Sequence, residues 1–268
     1  MKLRFYDGKK KALTLSYDDG VVHDIRFIEI LNKYGIKATF NISTGLYIDE
    51  DAQRKEFDGR MKLSEAKAIY TKDHEIAVHA FTHPALVELT REEIDEEIKK
   101  DIENIEKQYG VRPRGMAYPY GAYNDMVIEV LKENGIVYGR TVTSTYGFDL
   151  PKEWITLTPT CHHNEHLMEL TERFLEDSDE AKLFYVWGHS YEFERVNNWH
   201  LIEEFAKTIG KRDDIWYATN IEVYDYVKAY ENLIVTENEV KNPSDMDVWF
   251  ELCEKTYCIK KGETISIK

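Results

Sequence analysis

From Lys11 onward, short β-type runs alternate with amphipathic helical runs, and this alternation leaves few folds open. KALTLSY (from Lys11), KATFNIS (from Lys37), EIAVHAF, RGMAYPYG, IVYGRTV, WITLTPT, KLFYVWGHS and IWYATN read as strands. Between them, IRFIEILNKYG, LSEAKAIYTKD, YNDMVIEVLKENG, EHLMELTERFLED, WHLIEEFAKTIG and IEVYDYVKAYENL read as helices. One further helix opens on a capping box of Thr90 and Glu93. Ile94, Ile98, Ile102, Ile105 and Tyr109 then recur every three or four residues before Gly110 stops it. Strands separated by helices pair in parallel. Seven or eight such units curl into a barrel, where chemistry gathers at the strand exits. From Ile234 the pattern changes. VWFELCEKTYCIKKGETISIK reads as short antiparallel strands with a turn at Gly262. The expected division is a barrel domain over 1–233 and a small β appendage over 234–268.

The chain has 268 residues, 43% of them hydrophobic, which suits one large α/β domain with a sizeable core. Fifty acidic against thirty-five basic residues leave a formal charge of -15. Such a surface repels nucleic-acid phosphates and anionic membranes, so neither is an expected partner. Cys161, Cys253 and Cys258 make no disulfide framework and no CxxC zinc set; a Cys253–Cys258 hairpin bridge can be drawn but is unneeded. The N-terminal stretch has no long apolar core and no small-residue cleavage site, and no apolar run approaches membrane-spanning length, so a cytoplasmic protein is expected.

Four polar clusters fall at four strand exits: Asp18-Asp19-Gly20, His79 with His83, the loop around Tyr118 and Tyr120, and His189. Two histidines four apart are the spacing of helical zinc sites, but Ala80 stands where such sites carry Glu, and Pro84 follows the second histidine. The pair therefore bends off a strand end. Two imidazoles and one carboxylate can hold a divalent ion and leave a position open for chemistry. Adjacent acids then have separate uses: one ligates, and its neighbour stays free as a base. The plainer readings are an acidic turn for the Asp pair and two surface histidines.

SYDDG, HAFTHP, AYPYG and WGHS, in this order, resemble the motifs of the polysaccharide deacetylases, carbohydrate esterase family four, over roughly Lys11 to Leu233. The resemblance implies an α/β fold, a distorted (β/α)7 barrel, and a metal-dependent hydrolase that removes an N-acetyl group from an amino sugar or saccharide. It implies Asp18 as catalytic base, Asp19, His79 and His83 as metal ligands, and His189 as the acid on the leaving amine. Tyr120 matches the residue whose backbone N–H helps hold the oxyanion. The family's usual ion is zinc; Co2+, Ni2+, Mn2+ or Fe2+ are the alternatives. The expected partner is a small-molecule or oligosaccharide substrate, and a homo-oligomer stays open.

The chain departs from the pattern at several places. Ala117 stands where the family carries an arginine that steadies the base, and Arg140 on the next strand is either its substitute or an ordinary surface or helix-facing arginine. Tyr17 replaces a common phenylalanine, and Val21 a proline. CHHNEH brings His162, His163 and His166 to a strand exit, as a second metal site, a substrate contact or, most simply, loop histidines at the pocket mouth. Glu192 either orients His189, binds substrate hydroxyls or is a solvated acid. Tyr118, Trp187, Trp199 and Trp216 are aromatic faces able to stack on a sugar, or core. Two other readings of the whole remain: a cyclic amide or imide hydrolase, and a non-catalytic carbohydrate-binding protein.

Overall fold

A computed structural model describes residues 1–53, 59–70 and 73–267. After β1 (Lys2–Arg4), strand β2 (Lys11–Asp18) is buried along its whole length. Successive side chains of a strand point to opposite faces. Leu13, Leu15 and Tyr17 enter the core shared with the helices, while Thr14 bonds Asn220 and Ser16 bonds Asn41 on the inner side. Asp18 continues that inner, polar row.

Around β2 stand β3 (Thr39–Ile42), β4 (Glu75–Val78), β5 (Gly115–Ala117), β6 (Tyr138–Arg140), β7 (Cys161–His162), β8 (Lys182–Gly188) and β9 (Ile215–Tyr217). The sheet order is β6-β5-β4-β3-β2-β8-β7, with β9 on the amino half of β2 where β3 has not yet begun. All its pairings are parallel. The sheet curls into an open barrel, and every strand delivers its last residues to the same rim.

Helices α1 (Asp24–Tyr34), α2 (Leu63–Ile69), α3 (Arg91–Tyr109), α4 (Asp125–Glu133), α5 (Leu167–Leu175), α6 (Ser190–Arg195), α7 (Trp199–Ile209) and α8 (Asn220–Glu231) make the crossovers. Gly35 closes α1 at φ 68, a conformation that a Cβ disfavours. Thr90 and Glu93 cap α3 as expected, and Ile94, Ile98, Ile102 and Ile105 are buried on one face. Each such isoleucine contributes about 1.5–3 kcal/mol of burial. The helix expected from LSEAKAIYTKD ends at Ile69, and its residues 71–72 lie outside the described residues.

One strand expectation is corrected. WITLTPT (from Trp154) is not a strand; only Leu157 makes an isolated parallel bridge, to Arg140. Pro159 has no N–H to continue a ladder. The segment instead bonds β6 on one side, Leu157 N–H to Gly139 O at 2.8 Å, and β8 on the other, Thr160 N–H to Tyr185 O at 2.8 Å. An irregular piece thus spans the gap in the barrel.

The appendage comprises β10 (Ile234–Val235), β11 (Glu239–Lys241), β12 (Val248–Leu252), β13 (Lys255–Ile259) and β14 (Thr264–Ser266), in two antiparallel sheets. It also recruits β1 from the opposite end of the chain, through Leu3↔Phe250. The expected boundary at residue 233 therefore separates stretches of sequence that share one sheet. The three cysteines are free.

Candidate active site

Asp18 ends β2, and His79 directly follows β4. Parallel pairing through β3 sets these two strand ends side by side. His83 returns to them through a tight loop, with Ala80 at φ 61 and His83 at φ 59. Asp19 at φ 85 and Tyr120 at φ 58 are also left-handed. Four non-glycine residues in this costly region, at one rim, mark backbone held by its surroundings to aim side chains.

The ligating atoms of Asp19, His79 and His83 all lie within 4.8 Å of one another. His83 Nε2 is 3.6 Å and His79 Nε2 4.0 Å from Asp19 Oδ1. That oxygen is buried and has no aligned hydrogen bond among the described residues. His79 Nδ1 lies 2.8 Å from Ala117 O. A carbonyl only accepts, so Nδ1 carries the proton and Nε2 presents a bare lone pair to Asp19. Burial lowers the His79 imidazole to about 4, with the two aspartates opposing, so the ring is neutral at ordinary pH. A neutral imidazole with its outer nitrogen tied to a carbonyl, beside an orphaned carboxylate oxygen, fits a divalent cation.

Asp18 is held differently. Its Oδ2 is bonded by the Arg140 guanidinium, and its Oδ1 accepts from Asn41 Nδ2 at 2.9 Å. Arg140 is fully buried and lies over the Trp187 ring at 4.4 Å. Burial alone would raise the Asp18 carboxyl, but Arg140, followed by His79 and His189, outweighs it and holds the group below its ordinary value. His189 Nε2 stands 3.9 Å from both Asp18 Oδ2 and Asp19 Oδ2. Burial works to lower this imidazole, yet Glu192 and the two aspartates together raise it. A carboxylate kept ionised and an imidazole kept protonatable face each other across one small space.

The substrate-contact expectations change with the geometry. Tyr118 is 1% exposed and donates its hydroxyl to Ile155 O at 2.7 Å, so its ring is packing and offers no face to a sugar. The exposed rings of that loop are Tyr120, 70% exposed and edge-on to His83 at 4.7 Å, and Tyr123. Trp187 is buried, with Arg140 over it and His162 against it at 4.6 Å. Trp199 is buried as well, beneath Arg26. Glu192 meets three imidazoles: Oε2 is 3.0 Å from His162 Nε2 and 3.2 Å from His163 Nε2, and Oε1 is 3.5 Å from His189 Nδ1. The clustered histidines thus draw its carboxylate inward. His166 is exposed and pairs with Glu169 instead.

Residues that sequence reasoning passed over also serve the site. Asp101 accepts from Thr44 N–H at 2.9 Å and from His79 N–H at 3.1 Å, fixing the backbone that carries His79. It is a carboxylate on the buried face of α3 beside Ile98 and Ile102, and a charge on an apolar stripe was a readable signal. Asp24 accepts from Tyr70 and from Ser190, each at 2.5 Å, and so ties α1 to the residue after His189. Arg60 bonds Asp19 O and stands 3.5 Å from Asp19 Oδ1. Nothing local in the sequence marks it.

An open parallel barrel that collects acids and histidines at the carboxyl ends of its strands has the fold of the family 4 carbohydrate esterases. The Polysaccharide deacetylase family model matches residues 6–139, half of the chain. The uncharacterized protein YlxY of Bacillus subtilis is 32% identical over 108 residues, 40% of this chain and 30% of YlxY. The poly-beta-1,6-N-acetyl-D-glucosamine N-deacetylase of Staphylococcus epidermidis is 27% identical over 141 residues, 50% of this chain and 48% of that protein. The chitin deacetylase structure from Colletotrichum lindemuthianum superposes with a TM-score of 0.56 at 16% identity, covering 83% of this chain and 89% of that one. This chain belongs to the polysaccharide deacetylase family. It spans less than half the length of either curated relative.

Proposed function

We propose that the protein is a divalent-metal-dependent hydrolase that removes the N-acetyl group from an amino sugar within a saccharide. One observation carries the reading: Asp19, His79 and His83 converge within 4.8 Å, while Asp18 beside them is engaged by Arg140 and left out of that trio. Asp19, His79 and His83 would hold the ion. When bound, it supplies Lewis acidity that polarises an amide carbonyl and makes water easier to deprotonate.

The chain's own groups supply the rest. Asp18, kept ionised by Arg140, takes the proton of the attacking water. Tyr120, whose ring meets His83 edge-on at 4.7 Å, offers its backbone N–H as the donor for the developing oxyanion. His189 delivers a proton to the departing amine nitrogen, since its Nε2 faces the same space as Asp18. Tyr120 and Tyr123 give the rim exposed aromatic faces that suit a sugar ring. The S. epidermidis relative is by name an N-deacetylase of poly-beta-1,6-N-acetyl-D-glucosamine, which supports this substrate class.

The test is acetate release from N-acetylglucosamine oligomers by chelator-stripped protein, before and after return of zinc, cobalt or manganese. Restored release with a matching free amine is expected. Metal-loaded protein that opens a cyclic imide but leaves the saccharides intact would favour the rival hydrolase reading.

A further inference from the structure

The family match ends at residue 139, yet the acid half of the site lies beyond it. Three peculiarities of the sequence meet there: Tyr17 in the first motif, the His162-His163 pair, and Glu192 after His189. We propose that Tyr17, His163, His162 and Glu192 form one positioning network that holds the His189 imidazole with Nδ1 toward Glu192 and Nε2 toward Asp18. The inference rests on the deacetylase reading for its kinetic part only.

Tyr17 faces away from Asp18, into the layer between the sheet and the helices. Its hydroxyl is 3.3 Å from His163 Nδ1, and the two rings lie parallel, 5.7 Å apart. His163 is fully buried and stacks on Phe193 at 4.2 Å. It gets this close because β8 ends on glycine: a Cβ at Gly188 would stand 2.0 Å from His163 Nδ1. From there His163 Nε2 and His162 Nε2 both reach Glu192 Oε2, and the other oxygen reaches His189.

The cluster also has the composition of a metal site, since ligating atoms of His162, His189 and Glu192 lie within 4.8 Å of one another. His163 Nε2, His189 Nδ1 and Glu192 Oε2 are buried and make no aligned hydrogen bond among the described residues. Proton placement decides between the two. His162 Nδ1 accepts from the Asn164 N–H at 3.2 Å. The proton of the neutral ring is therefore on Nε2, which can donate to a carboxylate and has no lone pair for a cation. Burial lowers His163 to about 3, so it too carries a single proton. The Tyr17 phenol carries its proton at ordinary pH and can donate it. Tyr17 O–H donating to His163 Nδ1 puts that ring's proton on Nε2, again facing Glu192. Two N–H-bearing nitrogens thus stand 3.0 and 3.2 Å from one carboxylate oxygen, and His189 Nδ1 stands 3.5 Å from the other. A fixed tautomer is what a proton-transfer imidazole needs.

The test uses metal-loaded full-length protein labelled with 15N in histidine, as wild type, Y17F, H162Q and H162L. These variants leave the buried His163 ring in place. Two-bond 1H–15N spectra should show His162 and His163 protonated at Nε2 and His189 at Nδ1. In Y17F, His163 should become a tautomer mixture. H162L should lower kcat about tenfold at unchanged KM, the range for removing an outer-shell partner. H162Q, whose amide N–H can donate to Glu192, should restore most of it. Bound metal should stay at one ion per chain in all four. His162 protonated at Nδ1, or a second ion lost in H162L, would overturn the network. If the wild type releases no acetate from any saccharide, the deacetylase reading fails, while the tautomer spectra still decide the network.

Discussion

Two clusters at one barrel rim use the same residue types and have opposite electrostatic logic. In the first, His79 donates from Nδ1 to Ala117 O and turns a bare Nε2 toward Asp19. In the second, His162 accepts at Nδ1 from Asn164 N–H and turns a protonated Nε2 toward Glu192. Histidines and carboxylates in proximity therefore do not identify a metal site. The partner of the far nitrogen does, because it sets whether the near nitrogen offers a lone pair or a proton.

The largest effect should come from the first cluster. H83A should lose bound metal and acetate release together, while H162Q keeps both; metal content and assay on the two proteins break the comparison if they behave alike. D18N should keep its metal and lose about 10²–10⁴-fold in kcat, the usual range for a general base. Loss of metal in D18N would mean that Asp18 ligates.

R140A should act next. Without the guanidinium, burial of Asp18 is opposed by His79, His189 and the Asn41 amide, so its carboxyl protonates at higher pH. The base must be ionised, so the acid limb of kcat/KM against pH should move upward. Removing one partner of a buried pair should also cost about 3–5 kcal/mol of stability. An unchanged limb would reduce Arg140 to packing.

The smallest effect lies at a control site on the opposite, amino end of β4. Glu75 is half-buried, and its hydrogen-bond partners among the described residues are Tyr138, Thr39 and Ile221 N–H, with no imidazole. Burial raises it to about 7 from 4.5. Above pH 4.5 the unfolded chain releases this proton and the folded protein retains it, so stability falls as pH rises toward 7. E75Q should flatten Tm over that window; an undiminished slope would place the titrating group elsewhere.

The sheet was legible because strand–helix alternation is a local pattern. The first cluster was legible because Asp18, Asp19, His79 and His83 sit in short motifs at strand exits. WITLTPT was misread because its composition is β-like while Pro159 and the gap in the barrel forbid a ladder. β1 escaped notice as part of the appendage because its partner, β12, is some 250 residues away. The placing of Tyr118 on the substrate side failed for a simpler reason: exposure depends on the turn, and only Tyr120 and Tyr123 face outward. The contact between Arg140 and Asp18 spans 122 residues and could be offered from sequence only as one of two readings.

The contrast between the two clusters reduces to where a cation binds. An anomalous difference map from crystals soaked in zinc or cobalt measures this directly. One peak is expected, among Asp19, His79 and His83, with Glu192 still facing His162 and His163. Density absent from that trio, or a peak coordinated by His162 and Glu192, would contradict it.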